Sequence, residues 1–544
     1  MKLSVWSSVL LLCCLLANIG VRSQCTHSIA PDQTDINGAG IAAGDTICLL
    51  AGSKNYLHIS HLVGSAAKPI VIINRGGAVK IETNHFFGIK FSHCQHVKLL
   101  GNGNMGNEYG IQVLKVENGA GISVDEMSKE IEIAHVEVAH TKVGGIYAKT
   151  DPDCTFAATR EKFTLTGLTI HHCYIHDIGD EGMYIGSSKY TGQHLTDCDT
   201  IVLPHLIHNV RIHDNIVERT GWDGIQVSSS PVDCYIYNNI IHHDSYRETP
   251  NQMSGILIGG GSDCDCYNNQ IVDGKGDGID VFGYGEMKFY NNLIIRAGAS
   301  YQPNVNTAYR HGIFVGNAPD SAAARIKIMH NTIISPKSTG VRFFNTNTSN
   351  NLFFNNIISN PGSYGTMGNN AYLNTDGSNA TINGKQNIFT EHPEVIGFVN
   401  AGNDEYDLLP GSRAVNAGFN AGLNNVGFDI LDRHRPHNGA SDIGAYECQA
   451  VDAELQETET QNIANLHPNP SNGKFWLNIV MQSSGRFTIR VFNPKGMEVA
   501  PLLYLDYVSG INSFEMNFTG LEKGIYFLMI QSENKTIRTK FILD

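Results

Sequence analysis

The chain has 544 residues and sets 38 Lys and Arg against 52 Asp and Glu, a formal net charge of −14. That balance argues against a nucleic-acid partner, which demands a basic surface. It does not exclude an anionic glycan held by a local basic cleft or a bridging cation.

In chain order, Met1 to about Ser23 combines Lys2, an apolar run through Val9 to Leu16 and a small-residue end, the pattern of a cleaved secretory signal. The run is shorter than the ~18 residues of a spanning helix, and no other stretch is long and apolar enough to span a membrane. Loss of Lys2 and Arg22 with the signal moves the charge from −14 to about −16. Cys13 and Cys14 leave with it, and ten of the 12 cysteines remain, an even number suited to an oxidising compartment. The expected pairs are Cys25 with Cys48, Cys154 with Cys198, and Cys234 with Cys264 or Cys266. Cys173 reads as a small buried residue.

From about Ile170 to Ile358 the chain repeats itself six times. Asn215, Asn239, Asn269, Asn292, Asn331 and Asn356 form one column, and a Gly-apolar-x-apolar phrase opens at Gly182, Gly224, Gly255, Gly278, Gly312 and Gly340. Where no insertion intervenes, the unit is 23 to 25 residues with apolar residues at period two. Leucine-rich repeats share that length, but their LxxLxL phrase and helical half are missing. Short strands wound at this length predict an all-β chain, a right-handed parallel β-helix with three sheets per coil. The Asn column is expected at a sharp turn, since Asn tolerates left-handed backbone, with its amides stacked into a ladder.

Further Gly-apolar-x-apolar phrases at Gly88, Gly110 and Gly145 extend the coils to roughly residues 45 to 400, and Cys25 to Lys80 is expected to cap the first coil. Insertions at Thr150 to Thr164, Ser187 to Leu206, Ser245 to Gln252 and Tyr301 to Tyr309 are expected to wall a groove. The predicted organisation is a signal at 1–23, a capped β-helix at 24–448, an acidic linker at 449–465 and a small β-sandwich at 466–544.

The apolar residues of each phrase point inward, so x points outward and reads Lys90, Gln112, Tyr147, Tyr184, Gln226, Leu257, Asp280, Phe314, Arg342. Before each Gly a second column reads Glu181, Asp223, Ser254, Asp277, His311, Thr339. Between them a strip of glycines leaves a shallow trough with room for an extended polymer. Its middle is the candidate site. Glu181 and Asp223 fall on adjacent coils ~5 Å apart. Two carboxyls so close either bind a cation or share a proton. Asp180, Glu181 and Asp223 are thus expected ligands for Ca2+, Lys149 or Tyr184 a base for proton abstraction, and Glu181 and Asp223 the acids a hydrolase needs. Tyr147, Trp222, Gln226, Asp280, Arg310 and His311 are expected to contact the polymer. His171-His172, His176 and His242-His243 lack a recognised ligand spacing and read as solvated turn or strand residues.

Four resemblances accompany this reading. GDTICLL at Gly44 to Leu50 and KPIVIINRGG at Lys68 to Gly77 resemble the opening of secreted β-helix proteins. YDLLPGSRAVNAG at Tyr406 to Gly418 and DILDRHRPHNGASDIGAYE at Asp429 to Glu447 resemble the terminal segment of secreted bacterial β-helix proteins, where Arg and Asp hold a cap by charge-assisted hydrogen bonds. HPNPSNGKFWLNI, IRVFNPKGMEV, LEKGIYFLMIQ and the final TKFILD resemble the type A C-terminal sorting domain of the type IX secretion system. That implies export to the outer cell surface or beyond, with the secretion machinery as partner. The coils as a whole resemble the pectate-lyase-like superfamily. Its polygalacturonase pattern of paired Asp with Gly-His-Gly is absent, Arg310-His311-Gly312 being a faint echo. The resemblance implies a monomer acting on an extracellular polysaccharide, foremost a calcium-assisted lyase cleaving a uronate-containing glycan by β-elimination. A glycoside hydrolase or C5-epimerase on the same scaffold and a non-catalytic glycan-binding or adhesive protein are the alternatives.

Overall fold

The computed structural model describes residues 24–449 and 464–544, apart from 105, 303–308, 318–324, 378, 421, 423–425, 438, 482–483, 495–496 and 532–535. The expected signal and nearly all of the expected linker lie outside the described residues. The chain divides into two compact units near residue 451.

The larger unit is a parallel β-helix. One coil comprises Leu206–His213, Ile216–Thr220 and Ile225–Val227, and the next Val232–Tyr237, Ile240–His242 and Ser254–Ile258. Each strand pairs in parallel with its equivalent one coil on, as in Ile212↔Ile236, Val217↔Ile241 and Ile225↔Ile256. Among the described residues one face holds 12 strands, from Asp35–Asn37 to Leu373–Asn374, and the other two faces together hold 23. Period-two alternation turns the apolar residues inward, where they stack by register. Ile170, Ile212, Ile236, Cys266, Phe289, Ile328 and Phe353 follow one another up the coils, all fully buried. Each such aliphatic or aromatic chain contributes about 1.5–3 kcal/mol.

The Asn ladder forms as expected, but the left-handed backbone belongs to the residue before it. His172, Asp214, Asn238, Asn268, Asn291, His330 and Asn355 have φ between 51° and 57°, while the ladder residues turn their amides into the corner. Each Nδ2 donates to the next Oδ1 at 2.9–3.0 Å, from Asn215 through Asn239, Asn269, Asn292, Asn331 and Asn356 to Asn387, which lengthens the ladder by one coil. Upstream, Cys173 takes the ladder position, buried and unbridged as expected, its N–H donating to Asn215 Oδ1.

The coils start earlier than the phrases suggest. Asp35–Asn37 pairs with Leu57–Ser60 and Thr46–Lys54 with Ile70–Thr83, inside the segment expected to be a cap. The last coil ends with Ile388–Thr390, followed by an antiparallel pair, Phe398–Asn400 with Glu405–Leu408. Beyond it Arg433 bonds Asp429 and Asp407, and the buried Arg435 donates to the Asp442 carbonyl at 2.7 Å, the charge-assisted closure expected there. Disulfides join Cys25–Cys48, Cys154–Cys198 and Cys234–Cys264. The smaller unit packs a three-stranded and a four-stranded sheet around Phe475, Leu477, Phe487, Ile489, Leu528 and Phe541. No helix among the described residues is long and apolar enough to cross a membrane.

Candidate functional site

Strand register builds the two columns. Tyr147, Tyr184, Gln226, Leu257, Asp280, Phe314 and Arg342 are successive partners on the 12-stranded face. Beside them each glycine N–H donates to the pre-glycine carbonyl one coil on, Gly145 to Glu181, Gly182 to Asp223, Gly224 to Ser254, Gly278 to His311 and Gly312 to Thr339, at 2.9–3.0 Å. Gln112 does not belong here. Its strand lies on another face, opposite Glu137, and the place between Lys90 and Tyr147 is taken by Ser123. The Gly-apolar-x-apolar pattern fits either face, which misled the sequence reading.

The glycines do not clear space for a polymer. A Cβ on Gly224 would stand 2.5 Å from the Gly255 carbonyl oxygen and 2.8 Å from Ile241 Cγ2, and Gly278 and Gly312 meet equivalent obstacles. Their missing side chains would point at the next coil and the core. The corner packs too closely for any other residue.

In the upstream part of the trough Tyr147, Lys149, Glu181 and Tyr184 cluster. Tyr147 Oη donates to Glu181 Oε2 at 3.2 Å, the two tyrosine rings lie 5.4 Å apart, and the Lys149 ammonium sits 5.0 Å from the Tyr184 ring centre. Lys149 also pairs with Asp151 at 2.9 Å, and Tyr184 Oη donates to Ser188. Burial pushes the Glu181 carboxyl up to about 7 and the Tyr147 phenol well above its ordinary value. Asp223 is fully buried and raised well above the usual carboxylate range by desolvation, with Glu181 and Asp244 adding to it. Glu181 and Asp223 thus occupy adjacent coils as expected, yet turn to different neighbours. Glu181 faces Tyr147, and Asp223 Oδ1 accepts from Ser254 Oγ at 2.8 Å. Asp223 Oδ2 and both polar atoms of the buried Gln226 side chain have no partner. Trp222 is half-buried at the edge.

Downstream a cavity of about 450 Å³ opens, lined by Asp277, Asp280, Arg310, His311, Phe314 and Arg342 among others. Asp277 accepts the His311 backbone N–H, and its Oδ2 lies 3.8 Å from Arg310 Nη1. Desolvation raises its carboxyl to about 7 against the pull of Arg310. Asp280 is raised well above the ordinary range by burial and by Asp277 and Asp223, and its Oδ1 has no partner. His311 is neutral, its ring lowered to about 3 by burial and by Arg342 and Arg310, and it shares a hydrogen bond with Thr339 Oγ1. Behind this row Asp244, also buried, is raised to about 6. Asp280, Arg310 and His311 are expected contacts; Asp277 and Arg342, which stand in the same two columns, join them only in the folded cavity.

The insertions border this furrow. Cys154–Cys198 ties the first two together, and Ser188, Tyr190 and Thr191 line a second recess of about 350 Å³ that shares Phe282 with the first. Asn251 and Tyr309 bring the third and fourth insertions to the rim of the main cavity.

The expected calcium ligands are taken up by protein partners: Asp180 pairs with Arg247 at 2.9 Å, Glu181 accepts from Tyr147 and Asp223 accepts from Ser254. Among the described residues the metal-capable cluster of three is His171, His172 and His213, on a different face.

Residues 196–387 match a family model described as right handed beta helix region, and residues 465–544 match one described as secretion system C-terminal sorting domain. No curated protein matches the chain. Among solved structures it is similar to an alginate lyase from Paenibacillus sp. str. FPU-7 at 13% identity and TM-score 0.41, covering 60% of this chain and 99% of that one. XylC in complex with xylose is similar at 10% and 0.37, covering 88% and 96%. The enzymatically active domain of bacteriophage CBA120 tailspike protein 2 is similar at 11% and 0.27, covering 92% and 71%. Likenesses this weak say nothing about substrate or reaction.

Proposed function

This chain is a right-handed parallel β-helix protein with a type IX secretion sorting domain that sends it to the cell surface or beyond, and we propose that it hydrolyses an acidic polysaccharide laid along its trough. The observation that carries this reading is a pair of acids, buried Asp277 and half-buried Asp280, in a cavity beside Arg310. A hydrolase needs one carboxyl that keeps its proton and one that gives it up near neutrality. Asp280, raised by burial and standing in the outward column of the trough, suits the acid that protonates the glycosidic oxygen. Asp277, balanced near 7 by Arg310, suits the base that takes a proton from the attacking water. Both carboxyls line the one cavity, so an acid and a base are available to a single substrate there. The Arg310 guanidinium lies 3.8 Å from Asp277 Oδ2 and lines the same cavity, where its charge can also meet a uronate group of the substrate. A merely adhesive groove has no need of several buried acids, each of which costs stability near neutral pH.

A second reading, β-elimination with Lys149 as base, draws on the Lys149–Tyr184 contact and on the unpaired Gln226 amide, a neutral donor for a uronate carboxylate. Product chemistry separates the readings. With uronate polymers the full chain is expected to release reducing ends with no unsaturated-product absorbance, and Asp280→Asn is expected to abolish release while leaving binding intact. Unsaturated product that disappears in Lys149→Ala would establish the lyase instead. Binding without either product would leave only the adhesive function.

A further inference from the structure

Away from the trough, at the corner between the other two faces, three histidines converge. His171 ends the strand Thr164–His171, His172 holds the left-handed corner position, and His213 is the register partner of His171 on the next coil. The His171 and His213 rings stack at 4.9 Å and 5°, and the Nδ1 atoms of His171 and His172 are 2.8 Å apart. One ring nitrogen from each of the three lies within 4.8 Å of the other two. Two of these rings also meet carboxylates. His213 Nδ1 lies 2.6 Å from Asp214 Oδ2, and His171 Nε2 lies 3.5 Å from Glu132 Oε1.

We propose that His171, His172 and His213 bind one divalent transition-metal ion of the zinc class. Two imidazole nitrogens facing each other at hydrogen-bond distance need something between them, a proton or a cation. Tetrahedral coordination at 2.0–2.1 Å sets ligand nitrogens ~3.3 Å apart, so the spread from 2.8 Å to at most 4.8 Å closes with small side-chain shifts. His172 is exposed and free to make them. The neighbouring carboxylates fix ring orientation and raise ligand basicity, as outer partners of metal-bound histidines do. The fourth position faces solvent through His172 and suits a water. The location gives the ion a role. The Asn ladder begins at Asn215, and the coil before it offers Cys173 in that place. An ion held by His171 and His172 on one coil and His213 on the next clips together the coils where the ladder starts. His213 stands far in sequence from the His171-His172 pair, and coil stacking brings it to them, so the sequence alone reads His171 and His172 as solvated.

The test uses the full chain without a polyhistidine tag. Calorimetric titration with Zn2+ is expected to show one ion per chain at micromolar affinity or tighter, and His172→Ala and His213→Ala each to weaken it at least tenfold. His242→Ala, which alters another histidine pair, is expected to change nothing. Zn2+ is expected to raise the melting temperature of the wild type but not of His172→Ala, and Cu2+ in its place to show imidazole nitrogen couplings that diminish in that variant. Absence of stoichiometric Zn2+ binding, or binding unchanged by His172→Ala, whose exposed side chain the fold does not need, overturns the proposal.

Discussion

Replacing Asp277 by Asn is expected to stabilise the β-helix above neutral pH while abolishing hydrolysis. Burial raises this carboxyl from 3.8 to about 7. Between those values the unfolded chain has released the proton and the folded chain keeps it, so wild-type stability falls as pH rises through the window. At 1.36 kcal/mol per unit, a shift of about 3 units costs on the order of 4 kcal/mol by pH 8. Asn keeps the shape and the acceptor for the His311 N–H, so that cost vanishes, but its Nδ2 faces Arg310 where a carboxylate oxygen stood at 3.8 Å. Allowing on the order of 1–2 kcal/mol for that loss, the variant gains about 2–3 kcal/mol at pH 8 and is about 1–2 kcal/mol less stable than the wild type at pH 4. Urea denaturation of the wild type and the variant at both pH values, followed on the β-helix transition, measures the difference. A variant less stable than the wild type at pH 8, or a difference independent of pH, would refute the reasoning.

The same two carboxyls predict a bell-shaped kcat/KM, rising through about pH 7 as Asp277 ionises and falling at higher pH as Asp280 loses its proton; a profile flat across neutrality would contradict the assigned roles. Arg310→Ala is expected to raise KM for a uronate polymer several-fold and to leave binding of a neutral polymer unchanged, a comparison read from paired titrations. Asn269→Ala is expected to cost about 3–5 kcal/mol, because the fully buried amide donates to Ile236 O, Tyr267 O and Asn292 Oδ1 and accepts from Asn239, and deletion strands buried donors and acceptors at ~1–3 kcal/mol each; thermal denaturation at constant pH measures it. Activity is expected to survive EDTA, since Asp180 is held by Arg247; loss on chelation and recovery with added Ca2+ would restore calcium to the site.

Much of the molecule was legible in the chain because a solenoid writes its architecture as a period. The Asn and Gly columns gave the unit length, the inward and outward faces and the stacking of Tyr147, Tyr184 and Gln226, and all three disulfides fell on expected partners. Asp35–Asn37 falls before the expected 45 to 400 because it carries no Gly-apolar-x-apolar phrase, and Gln112 was misplaced because that phrase also fits another face. Asn387 was missed because the ladder follows the buried corner even where the surrounding phrase changes.

Sequence by itself determined which side chains share a column, since period two and a unit of 23 to 25 residues suffice for that. Only the tertiary structure decided where each acid turns. Asp223 goes to Ser254, Asp180 to Arg247 and Glu181 to Tyr147, while Asp277 and Asp280, raised by burial, line a cavity beside Arg310. The reason is that a side chain's partner and its access to water come from other coils and from insertions of irregular length, and the repeat carries no record of either.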